Sequence, residues 1–250
     1  MTDRFQRTRL MLGEEAFARI ADSFVLVVGL GAVGSYAVEG LARAGVGRLR
    51  VVDFDKIALT NINRQLYALE STLGRFKCDV ARDRILGINP ECRVEALREF
   101  LNAGTVVDLI ADRPDLVIDA IDSLNPKAEL LAAVRTAGIP LISCLGAAVR
   151  SDPTCVRVAP LEQVKGCPLG GKLRQRLRRR DVPMDFPCVY SVEPLPDPLP
   201  VIQPPEGSEA QSGRGRMRSI LGSLPTITGI FGLVAANHAI KMLATLEERG

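Results

Sequence analysis

Three glycines, Gly29, Gly31 and Gly34, stand in a G-x-G-x-x-G spacing between the apolar run VLVVGL and the residues SYAVEGLARA. The first glycine allows a tight turn, the second lets the backbone approach a phosphate, and the third lets helix and strand pack closely. The positive end of the helix that follows is a ready anion site. Asp53 closes the next apolar run, LRVVDFD, where a carboxylate can accept hydrogen bonds from ribose hydroxyls. This much implies a bound nucleotide without choosing between a dinucleotide and ATP. The following residues add weight to one side. Asn61, Asn63, Arg64 and Gln65 crowd one short stretch, and Lys77 opens a further helical segment. Hydride transfer needs no such density of phosphate-seeking groups. Splitting a triphosphate does, because cations must neutralise charge as pyrophosphate leaves. Asp119 and Asp122, in VIDAIDS, come at the end of another apolar run, and a carboxylate beside a polyphosphate commonly holds magnesium.

These residues need a frame that brings them to one edge. A short helix is expected over Glu14–Ala21, then strands at VLVVGL, LRVVDFD, CRVEAL, Leu116–Ala120 and PLISCLG. Helices fall between them at Ser35–Ala44, Lys77–Leu86 and about Lys127–Thr136. Strands alternating with helices predict βαβ crossovers and a parallel sheet buried on both faces. TCVRVAP reads as an antiparallel strand, and Val192–Arg216, dense in proline and then in Gly, Ser and Gln, as a flexible crossover. The expected fold is α/β: a Rossmann-like, doubly wound, mostly parallel sheet with an antiparallel extension and a C-terminal helix. One domain spans 1–250, with a nucleotide-binding core over 1–160, a basic segment and crossover over 161–218, and an apolar helix over 219–250.

Composition bounds the remaining classes. The 250 residues are 47% hydrophobic and 24% charged with a net charge of +3, so a sizeable core is expected and no global pull toward nucleic acid. The basic excess is local: Lys172, Arg174, Arg176, Arg178, Arg179 and Arg180 crowd KLRQRLRRR, and at helical spacing they cover more than one face. Such a run suits an RNA backbone, although the only nearby rings for base stacking are Phe186 and Tyr190. The six cysteines form no C-x-x-C pair, so structural zinc is not expected, and the charged N-terminus lacks a signal-peptide core. Both points favour a cytoplasmic setting. Ser219–Ile240 is uncharged and long enough to cross a bilayer, but Pro225, Asn237 and His238 within it favour a helix buried in protein over membrane contact. A core or interface role is expected for His238, the single histidine, and a small buried hydrophobe's role for Cys144 and Cys188.

R-F-x-R near the start, GLGAVGS, DFDKIALTNINRQ, GRFKCDVARDRILGINP and DAIDS together resemble the adenylating family that includes ubiquitin-activating enzymes and the bacterial enzymes that activate sulfur-carrier proteins for molybdopterin and thiamine. The resemblance covers roughly residues 4–160 and the last helix. It implies ATP with Mg2+ as the bound group, and attack of a carboxylate on the α-phosphate. It places Gly29, Gly31, Gly34, Asp53, Asp55, Asn61, Arg64, Lys77 and Asp122 around ATP, with Arg64, Lys77 and Asp122 acting in catalysis and Asp122 serving the metal. It adds Arg7, reaching the phosphates in relatives from the partner subunit, and hence a homodimer. PLGGKLRQRLRRRDV, PCVYSVEPL and GSLPTITGIFGLVAANHAIKML resemble the branch acting on tRNA, the threonylcarbamoyladenosine dehydratases. That branch implies a tRNA substrate bound through the basic run. Activation of a sulfur-carrier or sulfur-relay protein is the alternative, followed by a noncatalytic nucleotide-sensing subunit and a dinucleotide oxidoreductase.

Overall fold

The computed structural model describes residues 3–202 and 220–245. Two short helices, α1 (Gln6–Leu12) and α2 (Glu14–Asp22), lead into β1 (Phe24–Val28), α3 (Gly34–Ala44), β2 (Arg48–Val52), α4 (Lys77–Ile88) and β3 (Arg93–Leu97). The second half runs α5 (Thr105–Ile110), β4 (Leu116–Asp119), α6 (Leu124–Thr136), β5 (Leu141–Cys144), β6 (Val156–Pro160), α7 (Pro168–Arg178) and β7 (Pro187–Ser191). Two two-residue strands, β8 (Val201–Ile202) and β9 (Ile220–Leu221), pair antiparallel before α8 (Pro225–Thr245).

Seven strands form one sheet in the order β3-β2-β1-β4-β5-β7-β6. All neighbours are parallel except β6, which runs antiparallel to β7 as the edge strand. The continuous apolar runs are explained by the two cores they serve. Val25, Val27, Leu49, Val51 and Ile118 belong to the core under α3, α4 and α8, whereas Leu26, Val28, Val52 and Val117 belong to the core under α5, α6 and α7. The inner strands β1, β4 and β5 thus bury both alternating sets and show no period-two pattern, whereas the edge strands β3 and β6 stay partly exposed.

The expected elements form within a few residues, and three differences stand out. The helices α1 and α5 lie where no element was expected. The segment 161–218, expected to be a basic stretch and a crossover, contains β7, with Cys188 and Val189 fully buried between β5 and β6. The sheet is therefore not complete at residue 160. Residues 203–219, which include the later part of the expected crossover, and the last residues, 246–250, lie outside the described residues.

The long apolar helix α8 packs one face into the protein. Ile227, Phe231, Ala235, Ala239 and Leu243 are fully buried at helical spacing and join the α3 core. Close approach explains Gly232, where a Cβ would lie 2.3 Å from the Val33 carbonyl oxygen. By length and composition alone α8 could cross a membrane, but one whole stripe of it is spent on α3.

Candidate functional site

The candidate site is at the C-terminal edge of the sheet, where ligands bind in such folds. After β1 the chain reverses through Gly29 at φ +91, a conformation that disfavours any side chain, and a Cβ there would sit 2.7 Å from the Ala120 carbonyl oxygen. Gly34 begins α3 against that turn: its Cβ would lie 1.8 Å from the Gly29 carbonyl oxygen. The glycine loop is thus pressed onto the end of β4. No side chain caps α3, whose Ser35 N–H donates to the Gly31 carbonyl, and the positive end of the helix lies at the loop.

Asp53 sits beneath this loop and is 8% exposed. Its Oδ2 accepts the Leu30 N–H at 2.7 Å and its Oδ1 accepts the Asp55 N–H at 2.9 Å. A carboxylate has about four acceptor positions, so capacity remains for ribose hydroxyls. Burial pushes the Asp53 carboxyl above its ordinary range, opposed by Lys77 and by these two N–H groups. Lys77 is itself 6% exposed, with Nζ 2.9 Å from Asp55 Oδ2 and 3.9 Å from Asp53 Oδ2. The bond to Asp55 uses one of three ammonium donors, and Asp53 links the charge to the glycine loop through the Leu30 N–H.

The stretch carrying Asn61, Arg64 and Gln65 is tied to the start of α3. Leu66 N–H donates to Ser35 Oγ at 3.3 Å, the Tyr67 hydroxyl donates to the Ser35 carbonyl, and buried Gln65 lies against Gly31. Asn61 and Arg64 are folded onto their own turn. Asn61 Oδ1 accepts the Ala58 N–H at 3.1 Å, and Arg64 Nη1 donates to the Thr60 carbonyl and to Asn63 Oδ1.

The two aspartates of VIDAIDS part company. Asp119 is fully buried and unavailable to a metal: Lys127 Nζ lies 2.6 Å from its Oδ2, and the Ser143 hydroxyl donates to the same oxygen at 2.6 Å. Asp122 is exposed on the loop between β4 and α6, accepting from the Ser123 hydroxyl at 3.3 Å. It is two residues past Ala120, whose carbonyl carries the glycine loop. No cluster of three acidic, His or Cys ligands occurs among the described residues. A single carboxylate beside phosphates suits Mg2+, which keeps waters and phosphate oxygens as its other ligands.

Lys127 and Ser143 escaped the sequence reading. A signal was present: Lys127, Leu130, Leu131 and Val134 share the i, i+3, i+4, i+7 face of α6, and all are buried. A lysine on an apolar stripe asks for a buried partner.

Other expected residues fall elsewhere. Arg7 is exposed on α1, which packs through Phe5 onto Phe17 and Gly45 and through Arg4 onto the Ile88 carbonyl. Gly45 and Ile88 precede β2 and β3, so α1 occupies the opposite edge of the sheet from the glycine loop. Helix α7 buries Leu173 and Leu177 and exposes Lys172, Arg176, Arg178 and Arg179. The six cations are not equivalent: Arg174 donates to the Leu161 and Val164 carbonyls, and Arg180 pairs with Glu129. The start of α7 meets Leu145 and Gly146 just beyond β5, placing it at the site's edge of the sheet. His238 is half-buried on α8, where burial and Lys241 lower its pKa.

Cys144 and Cys188 are buried, and burial raises both thiols, that of Cys144 to about 12. Neither is a thiolate at neutral pH. We expect Cys188→Ala and Cys144→Ala each to keep turnover within about twofold of the parent when AMP release is measured; loss of turnover at unchanged Tm would assign the thiol a covalent role.

The chain is similar to known proteins over most of its length. The ThiF family matches residues 5–249. The tRNA threonylcarbamoyladenosine dehydratase of Escherichia coli (strain K12) is 38% identical over 257 residues, covering 99% of this chain and 96% of that protein. Crystal structures of the E. coli dehydratase in complex with ATP and with AMP superpose with TM-score 0.84 at 37% identity, over 96% of this chain and 93% of theirs. The molybdopterin-synthase adenylyltransferase of the same strain is 39% identical over 140 residues, covering 56% of this chain and 54% of that protein.

Proposed function

The chain belongs to the ThiF family, and from that membership and the geometry of the site we propose that it dehydrates threonylcarbamoyladenosine in tRNA at the expense of ATP. A carboxylate oxygen of the threonyl group attacks the α-phosphorus of ATP, and pyrophosphate leaves. The carbamoyl group then attacks the activated carbonyl, AMP leaves, and a ring closes with net loss of water. The nucleophile of the second step lies within the substrate, so proximity supplies much of its rate and no covalent enzyme intermediate is required.

The observation that carries the reading is Lys77, buried against the ribose-binding candidate Asp53 and against Asp55 at the glycine loop. A buried cation there suits the neutralisation of a polyphosphate as pyrophosphate leaves. In this reading the glycine loop and the start of α3 bind phosphate, Asp53 and Asp55 hold the ribose end, and Lys77, Arg64 and Asn61 bind the polyphosphate. Asp122 would hold Mg2+, which supplies charge neutralisation at the phosphates when bound. Arg7, at the far edge of its own sheet, serves the site of a second copy in a homodimer. Lys172, Arg176, Arg178 and Arg179 form the exposed face that meets the tRNA backbone. Such a substrate, together with six cysteines none of which is disulfide-bonded, agrees with a cytoplasmic location.

Incubation with ATP, Mg2+ and tRNA bearing the modified adenosine should lower that nucleoside's mass by one water and release AMP. Unchanged nucleoside mass overturns the reading. Arg176→Glu with Arg179→Glu should weaken tRNA binding by about tenfold or more and flatten its salt dependence, while ATP affinity stays unchanged. The partial likeness to the molybdopterin-synthase adenylyltransferase keeps one other substrate in view, a sulfur-carrier protein. Pyrophosphate exchange that depends on such a carrier and not on tRNA would favour it.

A further inference from the structure

Lys127 is fully buried, and an unpaired ammonium there would carry a prohibitive desolvation cost. Three acceptors answer it: Asp119 Oδ2 at 2.6 Å, the Ile121 carbonyl at 2.9 Å and the Cys144 carbonyl at 2.8 Å. Asp119 accepts the Ser143 hydroxyl at 2.6 Å and, through Oδ1, the Ile121 N–H at 3.1 Å. The two charged side chains therefore grip both main-chain polar groups of Ile121, the residue before Asp122. From the other side, the Ala120 N–H donates to the Val28 carbonyl at 2.9 Å, and the Ala120 carbonyl supports Gly29. The chain from Ala120 to Ile121 is thus held between the glycine loop and the ion pair, and Asp122 projects from it.

A buried ion pair is a poor choice for stability, since apolar residues of similar volume often do as well or better. The neighbouring positions Val117, Ile118 and Ile142 are apolar and fully buried, as a stability-driven core would be. We propose that the Lys127–Asp119 pair, braced by Ser143, is a positioning device: it sets the turn that presents Asp122 to the nucleotide phosphates at the glycine loop. The proposal rests on the reading of Asp122 as the carboxylate facing the Mg2+-bound polyphosphate. Lys127 and Asp119 act through that turn and not by touching substrate.

The decisive variant is the double substitution Asp119→Leu with Lys127→Met, which removes both charges together and both grips on Ile121. We expect it to remain folded with a Tm lowered by the Ile121 and Cys144 main-chain groups that lose their partners, its kcat for AMP release to fall about 10- to 100-fold, and its KM for tRNA to stay within about twofold. Calorimetric titration of ATP at increasing Mg2+ supplies a readout apart from turnover: the Mg2+ concentration for half-maximal ATP binding should rise. In an Asp122→Ala background, itself slower by about 10³-fold, the double substitution should add no further loss, because the group it positions is gone. If the double variant does not fold, Ser143→Ala, which keeps both charges and loosens Asp119, should show the same pattern at several-fold size. Wild-type kcat in a folded pair variant, or a loss that multiplies with that of Asp122→Ala, overturns the positioning role. Full turnover in Asp122→Ala instead overturns the underlying reading of Asp122.

Discussion

Lys77→Met is expected to lower tRNA-dependent AMP release by about 10³-fold and to make ATP binding dependent on pH. Two losses combine. The first is the cation itself: removing one preorganised charge from a site where negative charge develops typically costs about 10²- to 10³-fold in rate. The second arises from the neighbours. Burial already pushes the Asp53 carboxyl upward, and Lys77 is the strongest group opposing it. Without Lys77 the carboxyl rises further and Asp53 takes up a proton at higher pH. A protonated Asp53 loses acceptor capacity toward ribose hydroxyls. The sign follows: ATP affinity of the variant should weaken as pH falls through the raised Asp53 value and recover as pH rises, whereas the parent changes little over that range. Methionine is chosen to fill the volume of a buried lysine and avoid a cavity. Calorimetric titration of ATP at several pH values measures both effects, and a variant with parental, pH-independent affinity would remove Lys77 from the site.

Gly34→Ala should destabilise the protein by roughly 3 kcal/mol or more and abolish ATP binding. The added methyl would meet the Gly29 carbonyl oxygen at 1.8 Å and the Gly29 carbonyl carbon at 2.9 Å. Both are backbone atoms of the glycine loop, so no rotamer change relieves the contact. Either α3 moves off the loop or the loop leaves the end of β4, and each dismantles the anion site. For a chain of this size the loss corresponds to a fall in Tm of about 10 °C. Gly171→Ala is the control: it lies in α7 with open space around its missing Cβ, so it should be neutral or mildly stabilising. Parental Tm and nucleotide binding in Gly34→Ala would mean that the loop does not pack as described.

The geometry of the candidate site was legible where its residues lie close in the chain. Gly29, Gly31 and Gly34 define their loop by spacing, Asp53 ends the adjacent strand, and Lys77 opens the helix expected to start there. Asp119 and Asp122 show the limit. They are three residues apart in one motif and look equally suited to a metal, yet one is fully buried and paired while the other is exposed. What separates them is Lys127 arriving from α6 and Ser143 from β5. The basic run behaves alike: its charge is plain in the sequence, but the assignment of Arg174 to the Leu161 and Val164 carbonyls and of Arg180 to Glu129 depends on what α7 packs against.

Period and spacing express forces acting within one turn or one strand, which is why the alternation of strands and helices, the apolar character of strands serving two cores, and the tight glycine loop could all be read directly. Packing partners obey no such local rule. The insertion of β7 between β5 and β6, the burial of one stripe of α8 on α3, and the seat of α1 at the edge remote from the glycine loop each join segments distant in sequence. So does the grip of Lys127 on the turn before Asp122. A desolvated charge must find its counter-charge, and an apolar stripe its cover, but which segment supplies them is set by the closed three-dimensional arrangement of the whole chain.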